Sequence, residues 1–84
     1  MKGVESMAEY LAVSHLKPGQ RGRVVRLQTA EGKHIHKLTA FGLFPGAVVE
    51  LEQTYPAFVL RLDRSRLAVD REIAGIILVN PIDG

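Results

Sequence analysis

Three histidines, a scatter of arginines and one Ser-His pair are the side chains of this 84-residue chain that could do chemistry. His34 and His36 are separated by one residue, with Lys33 and Lys37 outside them and Glu31 the nearest carboxylate. They are the only metal candidates, and weak ones. On a helix, residues two apart stand on different faces; in an extended segment they share a face, but two imidazoles leave an ion short of ligands. A ferrous site usually adds carboxylates, so the pair reads as solvated histidines, and His15 is distant in sequence. Ser14 beside His15 is adjacency in sequence, which is not triad geometry. Arg64 and Arg66 fall in a predicted hairpin, where an arginine lent to a partner GTPase would sit, but nothing in the sequence marks either out and they read as solubilising surface arginines. There is no paired-carboxylate spacing, no Gly-x-Gly-x-x-Gly and no Gly-x4-Gly-Lys. With no cysteine, thiolate zinc sites, iron-sulfur clusters, disulfides and Cys nucleophiles are excluded. The expectation is a chain with no catalytic residues, no enzyme activity and no cofactor.

The elements that must position these side chains are short. Residues 1–12 are expected as an N-terminal tail or leading segment and 13–84 as one domain. Pro18 and Gly19 suit the second and third positions of a type II turn. Arg21 to Leu27 then has a β period, with Val25 and Leu27 on one face and Val24 and Arg26 on the other. Ile35, Leu38 and Phe41 recur at the spacing of one helical face, predicting a short helix between Gly32 and Gly42 with those three turned inward. Its stop is well specified. Gly42 suits the left-handed residue of a Schellman cap, Leu43 packs back onto Leu38, and Pro45 and Gly46 form a second Pro-Gly turn. Strands follow at Val49 to Glu52 and Phe58 to Asp63, with a hairpin turn at Asp63 to Ser65 and a further strand at Leu67 to Val69. Asp70 is the predicted N-cap of a helical turn over Arg71 to Ala74. Ile76 to Val79 is apolar on both faces, a strand either covered twice or offered to a partner, including a second copy.

Gly42, Leu43, Pro45 and Gly46 are thus a structural motif, fully used by backbone geometry and capping. Phe44 is different. It stands at the tip of the turn without a local apolar partner, and together with Tyr55 it is the predicted partner-contact patch.

Composition limits the class. The chain is 46% hydrophobic and 24% charged with a formal net charge of +2, and its basic residues are interspersed with acidic ones, so bulk charge gives no nucleic-acid signal. No stretch approaches the roughly 20 apolar residues of a membrane span, and the N-terminus lacks the apolar run of a secretory signal. A domain of this size buries only about 60% of the surface its unfolded chain exposes, which leaves little material for a deep cavity. Five short strands with one short inserted helix and a helical turn near the C-terminus point to a mostly β fold, a small antiparallel barrel whose closure removes exposed edges.

The succession Leu16-Lys17-Pro18-Gly19-Gln20-Arg21-Gly22, then Leu38, Phe41-Gly42-Leu43-Phe44-Pro45-Gly46, then Tyr55-Pro56-Ala57-Phe58-Val59, and last Leu67-Ala68-Val69-Asp70-Arg71-Glu72-Ile73-Ala74 with Ile77 and Val79, resembles the FeoA family over about residues 13–80. Members with a longer middle loop carry a Gly-Asp-Pro segment that this chain lacks, so contacts made by that segment do not transfer. The resemblance implies a five-stranded SH3-like barrel in the cytoplasm. It further implies a non-enzymatic accessory role in ferrous iron uptake, docking on and modulating FeoB, the membrane transporter with a cytoplasmic GTP-binding domain. The same barrel occurs as the C-terminal domain of DtxR-type iron-dependent repressors. The alternative expectation is therefore a metal-responsive or nucleic-acid-binding small barrel, although no helix-turn-helix precedes it here.

Overall fold

The computed structural model describes residues 10–28 and 32–82. Strand β1 (Leu11–Ala12) leads into a 3-10 turn (Val13–His15), followed by β2 (Arg21–Leu27), α1 (Gly32–Ala40), β3 (Val48–Gln53), β4 (Phe58–Arg61), β5 (Arg66–Val69), α2 (Arg71–Ile76) and β6 (Ile77–Ile82). The strands form one antiparallel sheet in the order β1-β6-β2-β3-β4-β5. Among the described residues there are therefore six strands rather than five. The extra one lies in the expected leading segment, where Leu11 and Ala12 pair with Val79 and Leu78 of β6. Two residues are too few to show a period, so nothing in the sequence marks them.

Alternation drives the core. Val49 and Leu51 of β3, Leu60 of β4, and Ile77 and Val79 of β6 are fully buried and meet Val13, Leu43 and Ala74 in a single cluster. Two bulges coil the sheet around it. Val25 is the extra residue in β2 against β6, and Glu52 the extra residue in β3 against β4. The bulge corrects the predicted facing of β2: Val24 is buried, while Arg26 pairs with Leu78 on the same outer face as Arg21 and Arg23. A strict two-residue period across the bulge had set Arg26 beside Val24.

Hydrogen bonding does not close the ring, since β1 and β5 are edges of the ladder. The seam between them is covered by α2, which packs on the 3-10 turn, β1 and β5 with Ala74 fully buried. Asp70 caps this helix, its Oδ1 accepting from the Ile73 amide at 2.8 Å. The helix extends to Ile76, so that residue joins α2 rather than the last strand. A helix over the seam meets the same requirement as ring closure, because it keeps the apolar ends of the edge strands from solvent.

Candidate docking surface

The most sharply determined local structure is the segment that ends α1. Its last turn closes with the two bonds of a Schellman motif: the Leu43 amide donates to the Leu38 carbonyl at 3.0 Å and the Gly42 amide to the Thr39 carbonyl at 2.9 Å. Gly42 takes φ +103°, the region that a residue bearing Cβ adopts only with strain. Leu43 is fully buried beside Leu38 in the core. The chain then reverses at once. The Ala47 amide donates to the Phe44 carbonyl at 2.9 Å, with Pro45 and Gly46 (φ +97°) at the two central positions, and a matching turn at Lys17–Gln20 has Gly19 at φ +91°.

The Phe44 turn is fastened to the sheet. The Gly46 amide donates to the Val24 carbonyl at 2.8 Å, the Val24 amide to the Ala47 carbonyl at 2.7 Å, and Arg23 Nη1 to the Gly46 carbonyl at 3.1 Å. Phe44 is 47% exposed on this rigid mount, and Phe41, at 49%, lies with it along one groove whose lining includes Val48, Leu62, Asp63 and Arg64. Phe41 corrects a sequence expectation. Of the predicted inward face, Leu38 is buried and Ile35 half-buried, but Phe41 has passed the last helical residue and turns outward. The helical period had been carried one residue into the cap. Val48 belongs to the same surface because it is the outward residue at the start of β3.

Tyr55 is 84% exposed but stands beyond the far end of β3, six residues long and so about 20 Å from end to end. It borders a separate cleft with Pro56, Phe58 and Arg71. The structure thus does not bring Phe44 and Tyr55 together; the aromatic beside Phe44 is Phe41. Replacing Gly42 by valine, strained at positive φ, is expected to lower stability by at least ~1 kcal/mol. An unchanged melting temperature would show that the cap tolerates a β-branched residue.

The remaining candidates are dispersed. His34 and His36 both lie on α1; His36 is exposed, and the side chain of His34 is outside the described residues, as is Glu31. Among the described residues no three His, Asp or Glu side chains gather at one point. Ser14 and His15 occupy the 3-10 turn, with His15 exposed. Arg66 Nε is held by Glu52 at 2.8 Å, and Arg64 projects from the β4–β5 turn with its side chain 92% exposed, 3.9 Å from Asp63. The groove beside Phe44 therefore offers apolar contact, with Asp63, Arg64 and Ser65 along its border and no histidine among its lining residues. Among the described residues no helix is long and apolar enough to cross a membrane.

The FeoA domain model matches residues 11–81. No curated protein matches the chain. Among solved structures it is similar to the iron uptake regulatory protein FeoA, at 25% identity and TM-score 0.79, over 87% of this chain and 97% of that one. It also resembles Stenotrophomonas maltophilia FeoA, a zinc complex described as an SH3 domain protein, at 18% identity and TM-score 0.75, over 83% of this chain and 89% of the other. T. acidophilum IdeR shares the fold at 23% identity and TM-score 0.79, but the match spans only 34% of that chain and 88% of this one. The fold is accordingly the SH3-like fold of FeoA proteins, in six strands with two short helices. With its family model extending from the first described strand almost to the end of the last, the chain belongs to the FeoA family, non-enzymatic accessory proteins implicated in ferrous iron transport.

Proposed function

We propose that this FeoA domain works in the cytoplasm by docking on the FeoB ferrous iron transporter and biasing its activity. The observation that carries this reading is the pair Phe41 and Phe44, about half exposed and rigidly mounted on the capped turn of a FeoA fold. Exposed aromatics beside arginine are the composition of energetically dominant interface positions, and a contiguous apolar surface on a small domain marks a binding site. The Stenotrophomonas maltophilia relative, described as possibly acting as a bacterial ferrous iron transport activating factor, points the same way.

Isotope-labelled protein titrated with the transporter's soluble GTPase domain, then with Fe(II), then with an oligonucleotide, tests the reading. Shifts clustered on Phe41, Phe44 and Val48 with the GTPase domain support it. Saturation by Fe(II) or by the oligonucleotide, with the GTPase domain silent, favours the alternative of a metal-responsive or nucleic-acid-binding barrel. Shifts centred on Tyr55 would move the contact to the other end of β3. Phe44→Ser is expected to leave melting nearly unchanged while weakening partner binding about tenfold or more, the effect of losing an aromatic anchor. A sharp loss of stability would instead place Phe44 in the core.

A further inference from the structure

The outer face of the sheet is strongly basic, and this follows from the bulge rather than from composition. Across β2 and β6, Arg21 stands opposite Ile82, Arg23 opposite Asn80 and Arg26 opposite Leu78. All three arginines are exposed. Were Val25 paired in regular register, the third would turn inward; with Val25 bulged, three guanidiniums follow one another along a single strand at about 7 Å intervals. Arg61 and Arg66 continue the outer surface on β4 and β5, two and three strands farther around the coiled sheet from β2. The acidic residues on the face are Glu50, which stands between Arg21 and Arg61, and Glu52, which takes Arg66 at 2.8 Å and Arg61 at 3.8 Å. Among the described residues five arginines on this face thus meet two glutamates, a balance of +3. Among the described residues Arg21, Arg23 and Arg26 have no carboxylate within 4.0 Å, so the uncompensated charge concentrates on β2.

We infer that this face, with the β2 arginines at its centre, seats the domain on an anionic phospholipid surface. Apart from Asn80 and Gln53, the uncharged residues among the arginines are aliphatic: Val48, Val59, Ala68, Leu78 and Ile82. No strand residue on this face is aromatic, and Tyr10, which the β1 register carries toward this side, is a single ring rather than the row of stacking platforms that holds single-stranded nucleic acid. The sheet coils around its core, and its convex outer face does not enter a duplex groove as a helix or β-ribbon does. Lipid headgroups, by contrast, move laterally to meet fixed guanidiniums, and short aliphatic side chains suit the headgroup boundary. The Phe44 turn itself lies off this face, although Arg23, through its bond to Gly46, and Val48 belong to both surfaces. Lipid seating goes beyond the docking reading and does not depend on it.

Co-sedimentation of the whole chain with vesicles tests the inference in the absence of any transporter. The protein is expected to bind phosphatidylcholine vesicles that contain phosphatidylglycerol, to ignore pure phosphatidylcholine, and to be released as salt rises. Each arginine at an anionic surface contributes roughly fivefold to partitioning, so Arg26→Glu and Arg21→Glu should each lower it at least about tenfold. Arg71→Glu, the same change in net charge at the start of α2 and off this face, should change it less than about twofold. No binding to the anionic vesicles overturns the inference, as does equal loss in all three variants, or an oligonucleotide or the acidic surface of a protein binding where the vesicles do not.

Discussion

Leu43→Ala is expected to cost about 3 kcal/mol, a large share of the stability available to a domain of this size. Leu43 is fully buried, and its amide makes the long bond of the helix cap. Truncation removes apolar area and leaves a cavity that a close-packed core refills only in part. It also takes away the apolar contact with Leu38 that accompanies the cap, so α1 loses its anchor to the barrel. Thermal unfolding should show the melting temperature lowered by on the order of 15 °C. A loss below about 1 kcal/mol would mean that the core collapses around the gap and that the cap holds without its staple.

Gly22→Ala should be the next most damaging change, although alanine in a strand is otherwise the better residue. Gly22 is a buried position of β2, registered between Val49 of β3 and Pro81 of β6. A Cβ built there lies 2.7 Å from Val79 Cγ2 and 2.9 Å from Val79 Cβ. Val79 is itself fully buried on the central strand β6, so neither side chain has space to retreat and the strands must part. Overpacking of this kind costs about 1–3 kcal/mol, and valine at the same position should cost more. The pair Gly22→Ala with Val79→Ala separates steric cause from backbone cause. The double variant should recover stability relative to the sum of the two single changes, and strict additivity would show that the clash is relieved elsewhere.

Where a residue's local geometry is forced by its own chemistry, the sequence was enough to place it. Gly42 and Gly46 sit at positive φ, Pro45 precedes the second of them, and Asp70 caps α2; each depends on neighbours a few residues away. The helix, the two Pro-Gly turns and most strands were legible for the same reason. What escaped depends on pairing across strands. The bulges at Val25 and Glu52 are set by the coiling of the sheet, and they decide which side chains face outward, so the arginine ridge was not visible in the two-residue period. Likewise β1 exists because β6 offers it an edge, and the ring stays open because α2 takes the seam. At the docking surface Phe44 was singled out by its lack of a local partner. Exposed aromatics alone pair it with Tyr55, because distance along a strand leaves no mark in the sequence; Phe41, three residues away, continues the helical period and turns outward only because the cap ends the helix before it.

The most direct measurement is a pull-down of the intact ferrous iron transporter in detergent by immobilised protein, wild type and Phe44→Ser in parallel, with Arg71→Glu as a surface control. Wild type and the control should retain the transporter equally, and Phe44→Ser should retain about a tenth as much or less. Failure of the wild-type protein to retain the transporter, or retention unaffected by the loss of Phe44, would contradict docking through the capped turn.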